Sequence, residues 1–258
     1  MDNKKIVITW YGTASVRISA GSSQLLIDPF FPFRDSTVKV SSDAYANCSN
    51  ILISHGHYDH IGSISRIVRR NTRIFCTKTP YHTLCGKGVR KENLSLIRPG
   101  SVFTVGDLRV TAYQGAHIRL SAWDCIKAVF SKRVMQNHRG VIGKILRMIS
   151  CPEKGESLCY IVEAYGKQIV ILGSLASADG VAYPKGADLA LFPYQGSKEL
   201  CRIASDIYDR LRPKAVLLTH FDDTFPPFST EIDTSDIEAH LKSRAAVYKL
   251  RQGSSIEL

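Results

Sequence analysis

The chain has no apolar run approaching the roughly 18 residues of a membrane-spanning helix. It also has no Cys-x-x-Cys pair, no internal repeat and no low-complexity tract. Its start, MDNKKIVITWYG, lacks the apolar stretch of a secretory leader, so export is not expected and the cytoplasm is the expected location. Seven cysteines (Cys48, Cys76, Cys85, Cys125, Cys151, Cys159 and Cys201) are odd in number and scattered. That argues against a disulfide framework or a cysteine-held zinc module, and for reduced, mostly buried thiols. Acidic residues are also scarce: 23 Asp and Glu against 34 Lys and Arg leave a formal net charge of +11. The imbalance favours anionic substrates, nucleic acid or an anionic membrane surface, or belongs to a solvated basic surface, without choosing among them.

What is present is an ordinary globular composition, 44% hydrophobic and 22% charged over 258 residues, enough to bury a sizeable core. The first quarter reads as short strands, KIVITWYG, SVRISAG, QLLIDPFF and NILISH, separated by turn residues. HIGSISRIVRR then shows helical spacing at positions 61, 64, 67 and 68. Strands RIFCT, VFTVG and LRVTAYQG follow. After residue 157 the style repeats with LCYIVEAYG, QIVILGS and DLALFPY, a helix around 197–211, AVLLTH, a helix around 235–243 and two last strands. Strands in blocks with helices in both halves predict two packed sheets with helices outside.

One segment differs. From Ile118 to Ser150 there are seven Lys or Arg against one Asp, and VIGKILRMIS places Val141, Ile142, Ile145 and Ile149 near one face. This reads as a basic amphipathic insertion. Its plain reading is a helix packed on the domain with its charge in water; its functional readings are a lid, a dimer contact or a membrane-surface helix.

The chemistry is concentrated in SHGHYDHIG. His55 and His57 are two apart after an apolar run, so an extended backbone lets both face one ion, while Asp59 and His60 at the helix start can turn toward a second. Imidazole and carboxylate donors suit zinc and related divalent ions. Four such residues within six positions at a strand-to-helix junction point to metal.

HGHYDH matches the HxHxDH motif of the metallo-β-lactamase superfamily. With ITWYGTASVRI, LLIDPFF, GADLALFPYQG and AVLLTHFDDTFPPF, the chain resembles the branch containing ascorbate-6-phosphate lactonase and N-acyl-phosphatidylethanolamine phospholipase D-like hydrolases. The resemblance implies one domain over 1–258, a four-layer αββα sandwich, with the insertion at 118–155. It implies a first metal held by His55, His57 and His117, a second held by Asp59, His60 and His220, and a catalytic role for Asp59 in orienting or deprotonating water. Arg119 and Trp123, near His117, cannot ligate in its place; His82, His138 and His240 are read as surface or structural residues.

The family's bridging Asp is missing: QIVILGSLAS places Ser174 there. A neutral hydroxyl brings no charge. Either one ion is held tightly and a second only with substrate, or Asp179, Asp222 or Asp223 substitutes, or turnover is lost. Tyr194, at the end of DLALFPY, is a candidate catalytic hydrogen-bond donor, or simply a tyrosine packed at a strand end. The expectation is a hydrolase with one or two divalent ions (zinc first, manganese or iron permitted), using metal-bound hydroxide on a small anionic ester, lactone or phosphodiester. Alternatives are a non-catalytic metal- or ligand-binding protein and an RNA-processing nuclease. The nuclease is disfavoured because the basic insertion lacks the aromatic interleaving of a stacking platform. A homo-oligomer and a peripheral membrane contact through 118–150 complete the expectations for partners.

Overall fold

The computed structural model describes residues 4–118, 134 and 140–258. Two seven-stranded sheets face each other. The first has the order β14 (Ser255–Glu257), β1 (Ile6–Gly12), β2 (Ser15–Ala20), β3 (Ser23–Ile27), β4 (Asn50–Leu52), β5 (Arg73–Cys76), β6 (Leu94–Leu96). The second has the order β13 (Ala246–Lys249), β12 (Ala215–Thr219), β11 (Leu189–Pro193), β10 (Lys167–Leu172), β9 (Leu158–Ala164), β8 (Leu108–Gln114), β7 (Val102–Val105). The strands that matter for the site are β1 to β4 in the first sheet and β8 to β12 in the second.

The sequence pattern explains the layering. β1 alternates strictly, with Ile6, Ile8 and Trp10 buried, so one face meets the opposite sheet. β11 and β12 are buried at every position, because sheet covers one face and helices the other. Helix α5 (Leu200–Leu211) supplies that cover with Leu200, Ala204, Ile207, Tyr208 and Leu211 on one stripe, and α6 (Ser235–Leu241) packs beside it. Each large apolar side chain so buried contributes about 2 kcal/mol before the ordering cost. This is the αββα arrangement expected.

Two local expectations are revised. The single helix read over HIGSISRIVRR is two one-turn helices, α1 (Tyr58–Ile61) and α2 (Ile64–Ile67), interrupted where Ser63 turns its hydroxyl to accept from the Phe31 N–H. A helix absent from the sequence reading, α3 (Lys78–Gly86), carries Pro80 in its first turn, where its missing N–H costs nothing. Of the insertion 118–155, residues 119–133 and 135–139 lie outside the described residues, and with them Arg119, Trp123, Cys125 and His138; α4 (Val141–Ile149) is described.

Strand direction places the site. β8, β10, β11 and β12 run the same way in the second sheet, and β3 and β4 are parallel in the first. Their C-terminal ends carry His117, Ser174, Tyr194, His220, Asp28 and His55 respectively. Side chains from distant parts of the chain thus meet at the strand ends.

Candidate metal centre

Two triads form. Ring nitrogens of His55, His57 and His117 make one and side-chain atoms of Asp59, His60 and His220 the other; within each, the ligating atoms lie within 4.8 Å of one another. In the first, His55 Nε2 stands 3.2 Å from His57 Nδ1, and His117 Nδ1 donates to the Ile118 carbonyl at 2.7 Å, freeing Nε2. In the second, Asp59 Oδ2 lies 2.7 Å from His220 Nε2 and 3.2 Å from His60 Nε2. The rings of His55 and His60 approach to 3.8 Å between centroids, so the triads share a wall.

The local sequence makes this geometry. Gly56 must be glycine, since a Cβ there would lie 2.3 Å from the Pro152 carbonyl oxygen. The turn therefore tucks beneath the chain following α4. Gly173 lets the end of β10 press on the site floor, where a Cβ would come within 2.8 Å of the Ser54 Cβ. His220 enters at φ 61 and Asp28 at φ 44, left-handed conformations uncommon for such residues and often found at functional sites. The His220 N–H donates to the Thr13 carbonyl at 2.8 Å, which pins the turn after β12 to the β1–β2 turn.

Charge is distributed unevenly. Burial, reinforced by the neighbouring rings, drives His55 well below the usual histidine range, and burial drives His57 down to about 4 and lowers His117. All three are neutral near pH 7, with lone pairs available. Burial also opposes charge on His60, but Asp59 and Asp28 outweigh it and push that ring up to about 10. Asp59 is held well below the carboxylate range: burial alone would raise it, and His60 and His220 prevail.

Sequence reasoning missed two residues. Asp28 Oδ2 lies 2.9 Å from His60 Nδ1 and accepts from Ser54 Oγ at 2.6 Å, while Oδ1 accepts from the Ser54 N–H at 2.8 Å. Ser54 Oγ also stands 3.0 Å from His55 Nδ1. One carboxylate and one hydroxyl thus orient a ring in each triad. The available signal was an aspartate at the end of the buried strand QLLID.

Ser174 is buried where the end of β10 meets the site, and its Oγ accepts from the Ile118 N–H at 3.2 Å. It fixes the backbone beside His117. The three substitute carboxylates are placed elsewhere. Asp222 accepts the Thr13 N–H on both oxygens, at 3.0 and 2.9 Å; Asp223 accepts from Ser229 Oγ at 2.6 Å; Asp179 is exposed. None of them joins either triad among the described residues. Tyr194 is fully buried and its hydroxyl donates to Asp236 Oδ1 at 2.8 Å, which commits it to the α6 start instead of a reacting group. His82 and His240 are exposed on α3 and α6. Six of the cysteines are free thiols among the described residues.

The donor set fits divalent metal. It consists of buried or half-buried imidazoles converging through their ring nitrogens, those of His55, His57 and His117 neutral, with one ionised carboxylate beside them. An αββα sandwich with such paired triads at its strand ends defines a metallo-hydrolase type of centre. The family model described as "Beta-lactamase superfamily domain" matches residues 23–221, and the chain belongs to that superfamily. A UPF0173 metal-dependent hydrolase of Halobacterium salinarum is 22% identical over 97% of this chain and 98% of its own. Among solved structures, the metallo hydrolase Igni18 of Ignicoccus hospitalis aligns with TM-score 0.67 at 18% identity, covering 98% of both chains. The metallo-beta-lactamase fold protein YhfI of Bacillus subtilis aligns at 0.63 and 15%, covering 99% of this chain and 100% of its own. Among the described residues no helix is long and apolar enough to cross a membrane.

Proposed function

We propose that the chain is a metal-dependent hydrolase acting on a small anionic ester, lactone or phosphodiester, with an atypical second metal site. The observation that carries the reading is the pair of adjoining triads with a neutral serine, Ser174, at their floor. His55, His57 and His117 would hold the first ion and Asp59, His60 and His220 the second, zinc being the best match to a histidine-rich set. Such an ion, when bound, supplies Lewis acidity and makes a water nucleophilic near neutral pH.

The chain's own groups do the rest. Asp59 turns Oδ2 to the two rings, and Oδ1 is left to orient the attacking water and take its proton. Asp28 and Ser54 hold His60 and His55 in the tautomers that present Nε2 to an ion. With no carboxylate at position 174, the double site carries one negative charge fewer than a bridged one. A phosphate or carboxylate on the substrate restores that charge, so the second ion is held best in the presence of an anionic substrate. The net charge of +11 supports the same substrate class.

A non-catalytic metal-binding role is the second reading, and Ser174 is the observation that favours it. Metal content per chain of the freshly purified protein and of Ser174→Asp, with hydrolysis of bis(p-nitrophenyl) phosphate and of phosphorylated lactones, separates the two. One tightly held ion, a second taken up with substrate, and turnover support the hydrolase. Metal bound at full occupancy with no turnover of any ester, in either protein, sinks it.

A further inference from the structure

Helix α4 turns a stripe of its apolar residues outward. Its basic residues engage the protein: the Lys144 ammonium pairs with Asp35, donates to the Pro226 carbonyl and lies 5.1 Å from the Phe33 ring centroid, leaving its side chain 13% exposed. Arg147 hydrogen-bonds the Tyr58 side chain on α1, the helix that also carries Asp59 and His60. Val141 is buried and Ile145 half-buried on that side, but the remaining apolar residues face the other way. Ile142, Leu146 and Ile149, spaced four and three apart on one stripe, are 75%, 62% and 69% exposed, and Met148 beside them is also exposed. The plain expectation, a helix showing its charge to water, fails at Lys144 and holds at Arg147, which is exposed while it bonds Tyr58. Turning the apolar stripe inward would break the pairing of Lys144 with the half-exposed Asp35 and its bond to the Pro226 carbonyl.

We propose that this stripe docks on an anionic lipid surface, setting the metal centre beside a membrane interface. Charge identifies the occupant. The chain carries +11, and Lys87, which donates to Ser150 at the helix end, and Arg147 flank the stripe. Of the nearby acidic groups, Asp35 is balanced by Lys144, and Glu153 turns its carboxylate onto the N–H groups of Gly155 and Glu156. Exposed apolar side chains inserting among headgroups, with basic residues at their edge, is how an interfacial helix binds. A second copy of the chain fits less well. Nine residues of helix span about 13 Å, and one such stripe falls short of the roughly 800 Å² per partner of a stable protein interface. The inference is independent of hydrolysis and holds for an inactive protein equally.

The test is flotation of the full chain with vesicles of phosphatidylcholine alone and of phosphatidylcholine with 30 mol% phosphatidylglycerol (about one lipid in three, as anionic leaflets provide). It compares the natural protein with an Ile142→Glu, Leu146→Glu, Ile149→Glu variant and the matching triple-alanine variant. All three side chains are exposed, and equal melting temperatures check that the variants fold. The expected result is binding to the anionic vesicles only, weakened by salt, with partition falling at least about tenfold in both variants. No binding of the natural protein overturns the proposal. So does equal binding by the variants, which would make the attraction one of diffuse charge. A dimer in solution that the variants dissolve would also overturn it, assigning the stripe to a second copy.

Discussion

Asp28 does at the residue scale what the motif itself cannot: it fixes the ring that the motif supplies. Its Oδ2 serves both His60 and Ser54, and Ser54 in turn touches His55, so one carboxylate steadies a ring in each triad. Asp28→Asn keeps the shape and loses the charge; metal affinity is expected to fall about 10–100-fold, read by competition with a chromophoric chelator, while the fold persists. The same residues set the pH behaviour of the metal-free protein. His57, at about 4, is depressed from 6.5, so the unfolded chain binds more protons between those values and stability falls as pH drops from 6.5 toward 4. His60, at about 10, is raised from 6.5, so its contribution is complete below 6.5 and is lost as pH climbs toward 10. The chelator-treated protein should melt highest near pH 6–7, with a lower melting temperature on either side; a flat profile would mean that the site does not hold these charges. The motif residues were legible because they sit within six positions. Asp28 was not, since its partner lies 26 residues on and meets it only when β3 pairs with β4.

Elements show the same division between what local pattern reveals and what packing decides. β1, β8, β9 and α5 follow from alternation and helical spacing, and each appears near its expected bounds. At the break between α1 and α2 the Ser63 hydroxyl accepts from the Phe31 N–H, a contact no local period encodes. The roll of α4 was likewise hidden. The hydrophobic pattern alone turns Ile142 inward, whereas Ile142 is exposed and Lys144 is the residue tucked against the protein, paired with Asp35. Ser174 was legible as a departure, but not that its hydroxyl would be spent on the Ile118 N–H. Close approach at the floor gives a further prediction. Gly173→Ala places a methyl group 2.8 Å from both the Leu158 carbonyl oxygen and the Ser54 Cβ, so β10 must shift away from the metal floor. A loss of about 1–3 kcal/mol is expected, or about 2–4 °C of melting temperature per kcal/mol in a chain of this size. Calorimetry with metal removed measures it, and Gly180→Ala is the reference: open space surrounds Gly180, so only its left-handed backbone contributes there.

Charge becomes decisive at the scale of the whole molecule. Counting ligands predicts a weak second site, because Asp59 is the only carboxylate in the two triads and Ser174 adds none. Counting the chain predicts the opposite tendency for substrates, because a chain with an excess of 11 positive charges attracts anions to its surface. The two are compatible if the anion the surface attracts is also the group that completes the second site. That coupling has a kinetic signature. For an anionic ester, kcat/KM should fall steadily between about 20 and 300 mM salt, as the screening length shrinks from about 20 Å to below 10 Å. For a neutral ester of the same leaving group it should stay nearly constant and low. Raising the metal concentration should rescue the neutral ester more than the anionic one, since only the anionic substrate brings its own charge to the second triad. Salt-independent turnover of the anionic ester, with the same metal requirement for both, would separate the basic surface from catalysis and leave Ser174 as the mark of a centre that works with one ion.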